Sequence, residues 1–376
     1  MRVALVTLTS GGLSGGFQKY LGELIPKLLM HPRLDDLQVF CPSWFMAQIA
    51  AVVPRKNCHP CEDTISGRLR LRKALTRISP DVLFFPSLRG VSVGRIPTVY
   101  MIHNMEPLAR PFDVCGLKEA VKNLGRHYAA KIACQRATRI IAVSAYVRDF
   151  LIETWNISPA KIGMVYHGVQ DSPPPETLAI PKGIPSDWTG RFLFTAGSIR
   201  PARGLEDIIQ AMAILVSQGI TMPLVVAGAA EPSCLPYQQK MVALSQKLGI
   251  QDQVLWAAQL TPGEMSWCYH HARMFVMTSR VEACPIIALE AMSHGSGCIV
   301  AHNPPLPEFF LDAALYYLPG DCRSLAEAIG TYQASSPEAQ KSLRRRAQTH
   351  AARFTWGRTA DETLKELMLA RESYKS

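Results

Sequence analysis

The feature that most constrains the fold is a series of short apolar runs, rich in β-branched and aromatic residues, that recur along the chain. The runs are nearly continuous, which is typical of parallel strands buried on both faces of a sheet, and longer segments that can hold helices separate them. They read VALVTLT, LQVFCP, VLFFP, TVYMIH, RIIAVS and IGMVYHG in the first half, and FLFTAGS, PLVVAGA, QVLWAA, RMFVMTS, GCIVAHN and ALYYLP in the second. The pattern predicts an α/β protein with parallel sheets.

A segment crowded with Pro and Gly, DSPPPETLAIPKGIPSDWTG at residues 171–190, separates the two series of runs. Such a segment is typical of a linker, and 376 residues are enough for two domains with their own cores. We therefore predict a Rossmann-like, doubly wound domain at residues 1–172, a linker at 173–190 and a second such domain at 191–355. Sheets of this kind bind ligands outside the carboxyl ends of their strands, so we expect the active site in the cleft between the domains.

The composition places the chain among globular proteins. Hydrophobic residues make up 48% and charged residues 19%, without a low-complexity tract. No window approaches the roughly 18 apolar residues of a spanning helix, so we expect a cytoplasmic protein. The ten cysteines are scattered, which indicates reduced thiols, and the C-H-P-C stretch at residues 58–61 is interpreted as a loop without a metal or redox role.

Positive charge is concentrated in the first half of the chain. Residues 1–180 hold 22 Lys+Arg against 13 Asp+Glu, whereas the remainder holds 18 against 17. Two amphipathic stretches carry much of it, and the candidate surface consists of Arg68, Arg70, Arg72, Lys73, Lys118, Lys122 and Arg126. Such a surface suits anionic lipid headgroups on the inner face of a membrane or an acceptor that bears phosphate, although a solvated helix face is an equal alternative. No recognition motif favours nucleic acid.

The stretch VEACPIIALEAMSHGSG at residues 281–297 places two glutamates seven residues apart around a proline. Glu282 is predicted in the loop after a strand, and Glu290 more than a turn into a helix that begins near Pro285. The amino terminus of that helix offers free N–H groups and a positive dipole end. A phosphate site flanked by two carboxylates fits a nucleotide-sugar, because ribose and hexose hydroxyls each need an acceptor.

This segment resembles the E-x7-E motif of the retaining family 4 glycosyltransferases, which have the GT-B fold of two facing Rossmann-like domains. Other motifs occur in the order of the family along nearly the whole chain. They are GGLSGGFQKYLGEL, YMIHN, IIAVSAYVRDFL, KIGMVYHGV, FTAGSIRPARGLEDIIQA, PLPE followed by DAALYY, and FTWGRTADETL. The resemblance also implies that residues 356–376 form a helix that returns to the first domain.

The resemblance implies roles for individual residues. Glu290 would accept the ribose hydroxyls, Glu282 would hold the donor hexose, and Arg203 would neutralise the diphosphate as the sugar leaves. His103 looks like the family histidine close to the donor sugar, so the catalytic candidates are Glu282, His103 and Arg203. The remaining candidates for nucleotide-sugar binding are Gly15, Gly16, Gly197, Ser198, Arg200, Cys284, Pro285 and Ile286.

Three segments depart from the pattern of the family. Ser198 stands where the family often has an arginine, which leaves Arg200 as a substitute. Pro304 and Pro305 replace a Gly-Gly pair, and Ala283-Cys284 replaces an aromatic-glycine pair after the first glutamate. Because proline has no N–H, these changes predict a reshaped donor pocket.

The resemblance implies a hexosyltransferase that uses a UDP-, GDP- or ADP-sugar and retains the anomeric configuration, in lipopolysaccharide, capsule or other glycoconjugate synthesis. No D-x-D stretch is present, so we expect no metal and no cofactor. A nucleotide-sugar epimerase or hydrolase, and a sugar-nucleotide-binding protein with weak or no catalysis, are the alternatives. A dinucleotide oxidoreductase is disfavoured because GGLSGG lacks the G-x-G-x-x-G order.

Overall fold

Each apolar run of the sequence overlaps one β-strand, and the described strands form two separate, fully parallel sheets. The computed structural model describes residues 1–9, 15–110, 116–170 and 178–374. The described contacts divide the chain into two compact units. The first unit comprises Met1–Met105, Leu124–Gly168 and Thr355–Ser376, and the second comprises Glu106–Asn123 and Val169–Phe354, without the residues outside the description. The α/β class with two doubly wound domains is confirmed, whereas the domain boundaries at 172 and 191 stay a prediction.

The sheet of the first unit has seven strands in the order β3-β2-β1-β4-β5-β6-β7. This is the doubly wound order, in which the order of the strands along the chain reverses between β1 and β4. The strands are β1 (Arg2–Val6), β2 (Asp36–Cys41), β3 (Cys58–Pro60), β4 (Val82–Phe85), β5 (Thr98–Ile102), β6 (Arg139–Ala142) and β7 (Ile162–Met164).

One strand of this sheet was not predicted. Cys58–Pro60, which we interpreted as a loop, forms β3 and pairs with β2 in the register Val39 to Cys58. Three residues that end in proline carry no apolar periodicity, and proline is tolerated here because β3 lies at the edge of the sheet.

The second unit has six strands in the order β10-β9-β8-β11-β12-β13, so its switch point lies between β8 and β11. The strands are β8 (Leu193–Ala196), β9 (Leu224–Ala227), β10 (Val254–Ala258), β11 (Met274–Met277), β12 (Cys298–Ala301) and β13 (Leu315–Tyr317). The central strands of both sheets are rich in buried Val, Ile, Leu, Phe and Met, which form much of the two cores.

Helices alternate with the strands in both units. In the first half of the chain they are α1 (Gly15–Leu29), α2 (Ser43–Ile49), α3 (Ile65–Ile78), α4 (Glu106–Ala109), α5 (Leu117–Arg136) and α6 (Ala145–Glu153). In the second half they are α7 (Leu205–Ser217), α8 (Leu235–Lys247), α9 (Pro262–His271), α10 (Ile286–Ser293), α11 (Leu306–Phe310), α12 (Cys322–Ala334), α13 (Pro337–Ala351) and α14 (Trp356–Ser373). Helix α4 belongs to the second unit, and α5 contributes residues to both.

Hydroxyl side chains set several helix starts. Ser144 Oγ accepts from the amide of Val147 at 3.2 Å, and Thr355 Oγ1 accepts from Arg358 at the same distance. Each bond satisfies one of the amides that a first helical turn leaves unpaired.

Helix α14 packs on the first unit, against α1, β4, β5 and β6. A partly buried ion pair fixes it, because Arg139 Nε donates to Glu366 Oε2 at 2.6 Å. Gly163 on β7 makes room for this carboxylate, since a Cβ there would stand 2.0 Å from Glu366 Cδ. The placement of residues 356–373 thus depends on a glycine and an arginine from two neighbouring strands.

Eight cysteines are free thiols, and most are buried. Cys234 is disulfide-bonded, which corrects the expectation of a reduced thiol at this position. Cys115 lies outside the described residues.

Candidate functional site

The candidate residues of the second unit gather at the switch point of its sheet. Gly197 and Ser198 directly follow β8, and the loop at residues 278–285, which carries Glu282, follows β11. Because β8 and β11 are neighbouring parallel strands, their carboxyl ends meet at one edge of the sheet. This is the position at which open α/β sheets bind ligands.

Arg203 and Glu282 form the centre of the site. Arg203 Nη1 donates to Glu282 Oε1 and, at 3.0 Å, to Ser279 Oγ. Both charged side chains are largely buried, with 23% and 14% of their surface exposed. The structure therefore brings together a cation suited to a diphosphate and a carboxylate suited to sugar hydroxyls.

Gly197 is required for this arrangement. Its φ is +122°, a conformation that other residues rarely adopt, and an added Cβ would stand 2.8 Å from Arg203 Cζ. The guanidinium thus lies directly against the backbone at the end of β8.

A second arginine anchors the loop that carries Glu282. Arg280 binds Asp207 on α7 through two hydrogen bonds of 2.6 Å, from Nη1 to Oδ2 and from Nη2 to Oδ1. Tyr317 Oη and the amide of Gly320 also donate to Asp207 Oδ2, at 2.9 and 3.0 Å. Four charge-assisted bonds to one buried carboxylate hold the loop rigidly. Sequence reasoning missed Arg280 and Asp207.

Glu290 lies in the second turn of α10, where the buried Tyr269 donates a hydrogen bond to its Oε2 at 3.0 Å. Burial, followed by the neighbouring Glu290 charge, holds the pKa of Tyr269 well above its ordinary value, so the phenol stays protonated as a donor. Tyr269 therefore orients one oxygen of the glutamate predicted to bind ribose.

The amino terminus of α10 differs in detail from the prediction. Helix α10 begins at Ile286, and Pro285 is its cap residue. The amide of Ile286 donates to Cys284 O at 3.1 Å, and proline has no amide. The three residues predicted to bind the diphosphate with their backbone, Cys284, Pro285 and Ile286, follow Glu282 closely in the chain. Of their amides, however, that of Ile286 already donates a hydrogen bond within the protein.

Arg200 pairs with a carboxylate that sequence reasoning did not select. Its Nη1 lies 2.9 Å from Oε2 of Glu106, which is 8% exposed. Burial raises the pKa of Glu106, and the nearby Arg200 and Arg203 oppose that shift. Arg200 with Glu106 and Arg203 with Glu282 thus form two ion pairs within the second unit.

Gly15 and Gly16 begin α1 and are exposed. A Cβ at Gly15 would meet no atom within 4 Å, so the packing of the protein itself does not demand glycine there. Ser198 follows Gly197 at the end of β8 and is partly exposed. The preceding part of the Gly-rich loop, residues 10–14, lies outside the description.

His103 follows β5 in the first unit and contacts a second histidine. Its Nδ1 lies 2.9 Å from Nε2 of His167, and the two rings stack at 4.7 Å between centroids. Tyr20 packs against both rings, at 4.3 and 4.8 Å. Burial lowers the pKa of both histidines, that of His167 to about 3, so both imidazoles are neutral near pH 7.

The predicted basic surface is divided between α3 and α5. On α3, Arg70, Arg72 and Lys73 are exposed, whereas Arg68 is engaged with Asp63, whose side chain is only 5% exposed. On α5, Lys118, Lys122 and Arg126 are all exposed.

Helix α5 also exposes an apolar stripe. Its residues lie one or two turns apart on one side of the helix and are between 39% and 82% exposed, and they are Leu117, Val121, Leu124, Tyr128 and Ile132. The buried side consists mainly of small or polar residues, namely Ala120, Asn123, Ala130 and Cys134. The large apolar side chains of α5 therefore face solvent beside the basic ones.

Metal ligation and membrane spanning are two features that the described residues do not show. No group of three or more His, Cys, Asp or Glu side chains is arranged to hold a metal ion there. No helix among residues 1–9, 15–110, 116–170 and 178–374 is long and apolar enough to cross a membrane.

Comparison with known proteins gives two family matches. The model described as "Glycosyltransferase Family 4" matches residues 14–172, and "Glycosyl transferases group 1" matches residues 178–350. Together they account for nearly the whole chain.

Curated relatives are similar over part of their length. A D-inositol 3-phosphate glycosyltransferase of Saccharomonospora viridis is 28% identical over 238 residues, which is 61% of this chain and 54% of the relative. That of Acidothermus cellulolyticus is 25% identical over 287 residues, 72% of this chain and 63% of the relative. The matched part of the chain thus spans between half and two thirds of these relatives.

Solved structures share the fold. The Anabaena protein Alr3699/HepE in complex with UDP superposes with a TM-score of 0.77 at 17% identity, over 98% of this chain and all of that chain. The lipopolysaccharide outer core galactosyltransferase WaaB superposes with a TM-score of 0.67 at 16% identity, over 98% of this chain and 99% of that chain. These likenesses confirm the predicted fold.

Proposed function

Because the chain belongs to the family 4 glycosyltransferases of the GT-B fold, we propose that it transfers a hexose from a nucleotide-sugar to an acceptor hydroxyl, with retention at the anomeric carbon. The observation that carries this proposal is the contact between Arg203 and Glu282 at the switch point of the second sheet. One side chain suits a departing diphosphate and the other suits the hydroxyls of the sugar that it leaves.

Arg203 and Glu282 divide the work at the reacting centre. As the bond between the anomeric carbon and the phosphate oxygen breaks, negative charge develops on the diphosphate, and Arg203 stabilises it. Glu282 accepts hydrogen bonds from hexose hydroxyls and holds the sugar so that the acceptor oxygen approaches the anomeric carbon from the face that the phosphate leaves. The acceptor oxygen bonds to this carbon, and its proton passes to the leaving phosphate oxygen, so no side chain serves as general base.

The nucleotide binds to Glu290 and to the loops at the carboxyl ends of the strands. Glu290, oriented by Tyr269, accepts the ribose hydroxyls. Arg200 contributes a second cation, and Arg203 takes the place that a divalent metal has in metal-dependent transferases. Similar folds have been solved with UDP and with UDP-glucose, which supports a uridine nucleotide among the UDP-, GDP- and ADP-sugars.

The acceptor is anionic and lies at a membrane surface. The apolar stripe of α5 and its neighbours Lys118, Lys122 and Arg126 have the character of an interfacial helix, which inserts apolar side chains while basic ones meet anionic headgroups. The names of the curated relatives also include a phosphorylated acceptor, D-inositol 3-phosphate. A role in lipopolysaccharide, capsule or other glycoconjugate synthesis fits such an acceptor.

The decisive experiment is thermal unfolding with a panel of UDP-, GDP- and ADP-sugars, followed by a turnover assay with the donor that stabilises most. A ligand that binds the native state at 100 times its Kd stabilises it by about 2.7 kcal/mol. We expect one nucleotide class to raise the melting temperature and to release nucleoside diphosphate when an acceptor is present. Binding without turnover on any acceptor would favour a sugar-nucleotide-binding protein, and turnover to an isomeric nucleotide-sugar would favour an epimerase.

A further inference from the structure

The two stacked histidines of the first unit leave two ring nitrogens without a partner. His103 Nδ1 and His167 Nε2 contact each other at 2.9 Å, while the other two atoms, His103 Nε2 and His167 Nδ1, are buried and have no hydrogen-bond partner among the described residues. His167 is 2% exposed. Buried polar atoms are rarely left unsatisfied, so this pair calls for a functional explanation.

A neutral imidazole carries one proton, so two arrangements of the pair are possible. Either His167 Nε2–H donates to His103 Nδ1, which leaves the His103 proton on Nε2, or His103 Nδ1–H donates to His167 Nε2. In the second arrangement His167 Nδ1 keeps an N–H that is buried against the core. In the first arrangement His167 Nδ1 is only a bare acceptor.

Each arrangement leaves one N–H and one bare nitrogen without a partner. The first arrangement places the unpartnered N–H on His103, which is partly exposed, whereas the second places it on His167, which is 2% exposed. An unpartnered N–H is tolerated least where no other molecule can reach it, which favours the first arrangement. The surroundings of the pair agree with neutral rings. Tyr20 and Trp356 pack against His167, at 4.8 and 6.1 Å between ring centroids, and burial lowers the pKa of both histidines. The two neutral rings are therefore joined by one hydrogen bond, and the remaining N–H of His103 is at Nε2.

We propose that His167 is a positioning residue: its Nε2–H donates to His103 Nδ1, and this bond keeps the proton of His103 on Nε2, where it is donated to an oxygen atom of the donor sugar. The partner of His103 rests on the proposed function, whereas the tautomer does not. Because Nε2 is buried, the sugar oxygen reaches it only after a side-chain movement, and the nearest partly exposed ring is Phe17, 5.1 Å from the His103 ring.

The tautomer is measurable by NMR on the whole chain labelled with ¹⁵N-histidine. Protonated and bare ring nitrogens have well-separated ¹⁵N shifts, and the spectra of His103→Gln and His167→Gln assign the two residues among the ten histidines. We expect His103 to be protonated at Nε2 and bare at Nδ1, and His167 to be protonated at Nε2. A proton on His103 Nδ1 in the wild-type chain would overturn the proposal.

A pair of variants separates positioning from packing. His167→Phe keeps a ring between Tyr20 and Trp356 but removes the donor, whereas His167→Gln places an amide N–H near the same point. In His167→Phe we expect His103 to populate both tautomers, and kcat/KM for the donor to fall about tenfold with unchanged affinity for free nucleoside diphosphate. His167→Gln should restore both values.

The outcomes also separate this inference from the proposed function. An unchanged His103 tautomer in His167→Phe would refute the positioning role. If the tautomer responds as expected but His103→Gln keeps the wild-type kcat/KM, the pair is positioned as proposed and its contact with the donor sugar is refuted. Should His167→Phe fail to fold, the wild-type spectrum still decides the tautomer.

Discussion

Gly197 provides the space in which the guanidinium of Arg203 lies, since a Cβ at this glycine would stand 2.8 Å from Arg203 Cζ. Gly197→Ala should displace Arg203 and strain a backbone that has φ of +122°. We expect stability to fall by about 1–3 kcal/mol, and kcat/KM for the donor to fall by at least about tenfold. Denaturant unfolding and donor kinetics test both effects.

Gly330→Ala is the matched control within the same unit. Gly330 lies in α12, and a Cβ there would meet no atom within 4 Å. In a helix this change should raise stability by up to about 1 kcal/mol, without affecting kinetics. Equal kinetic losses in the two variants would show that Gly197 does not act through Arg203.

Substitutions at Glu282 and Glu290 should separate nucleotide binding from turnover. Glu290→Ala should weaken the affinity for free nucleoside diphosphate by about tenfold, because the ribose loses its acceptor. Glu282→Gln should lower kcat on the order of 100-fold, because the hexose loses a carboxylate acceptor. The affinity for nucleoside diphosphate should stay unchanged or rise, because Arg203 loses its carboxylate partner. Calorimetric titration and steady-state kinetics measure the two quantities. Unaltered nucleotide binding by Glu290→Ala would contradict the ribose assignment.

Turnover should survive treatment with EDTA. The proposed site stabilises the leaving diphosphate with Arg203 and Arg200, so no divalent cation is needed. Release of nucleoside diphosphate should be followed before and after chelation. Complete loss of activity that Mg²⁺ or Mn²⁺ restores would contradict this expectation.

Binding to anionic vesicles should depend on the exposed basic residues of α3 and α5. Each basic group near an anionic bilayer contributes roughly 1 kcal/mol, and salt screens it over about 8 Å at physiological ionic strength. We therefore expect salt-sensitive co-sedimentation that is lost in a variant with Arg70, Arg72, Lys73, Lys118 and Lys122 changed to Gln. Arg68 is left unchanged because it pairs with Asp63.

A control for that experiment changes Lys341 and Arg345 on α13, which are also exposed, to Gln. This variant should sediment like the wild type. Equal binding of all three proteins, or no preference for anionic over neutral vesicles, would favour a soluble acceptor.

The ion pair that fixes α14 should matter for stability. Glu366→Gln leaves Arg139 largely buried without a counter-charge, which should cost about 3 kcal/mol. Glu362→Gln on the same helix breaks a pair with Arg358, whose side chain is 59% exposed, and should change stability by less than 1 kcal/mol. Urea unfolding compares the two. Similar midpoints would show that Glu366 does not anchor the helix.

Local sequence patterns were sufficient to predict most of the strands and to place Glu282 in a loop and Glu290 in a helix. A strand buried on both faces needs an apolar run whatever its neighbours are, so the runs mark the strands, and each run overlaps one of them. The short edge strand β3 was missed because His59 and Pro60 carry no such signal. Glu282 and Glu290 were located because the start of a helix near Pro285 follows from local geometry.

The partners of these residues could not be predicted, because folding alone brings them together. Arg280 and Asp207 are 73 positions apart, and His103 and His167 are 64 apart. The packing of Tyr269 against Glu290 and the pairing of Glu106 with Arg200 depend likewise on tertiary structure. No periodicity or spacing encodes such contacts in a single sequence.

The position of α14 has a consequence for protein synthesis. The ribosome completes the strands of the first unit by Met164, yet the helix that covers part of that sheet is translated only after residues 169–354. During this interval Arg139 has no Glu366, and the surface that Trp356, Leu364 and Leu367 later bury stays open to water. We expect the nascent chain to expose an apolar patch that attracts chaperones until the last helix emerges.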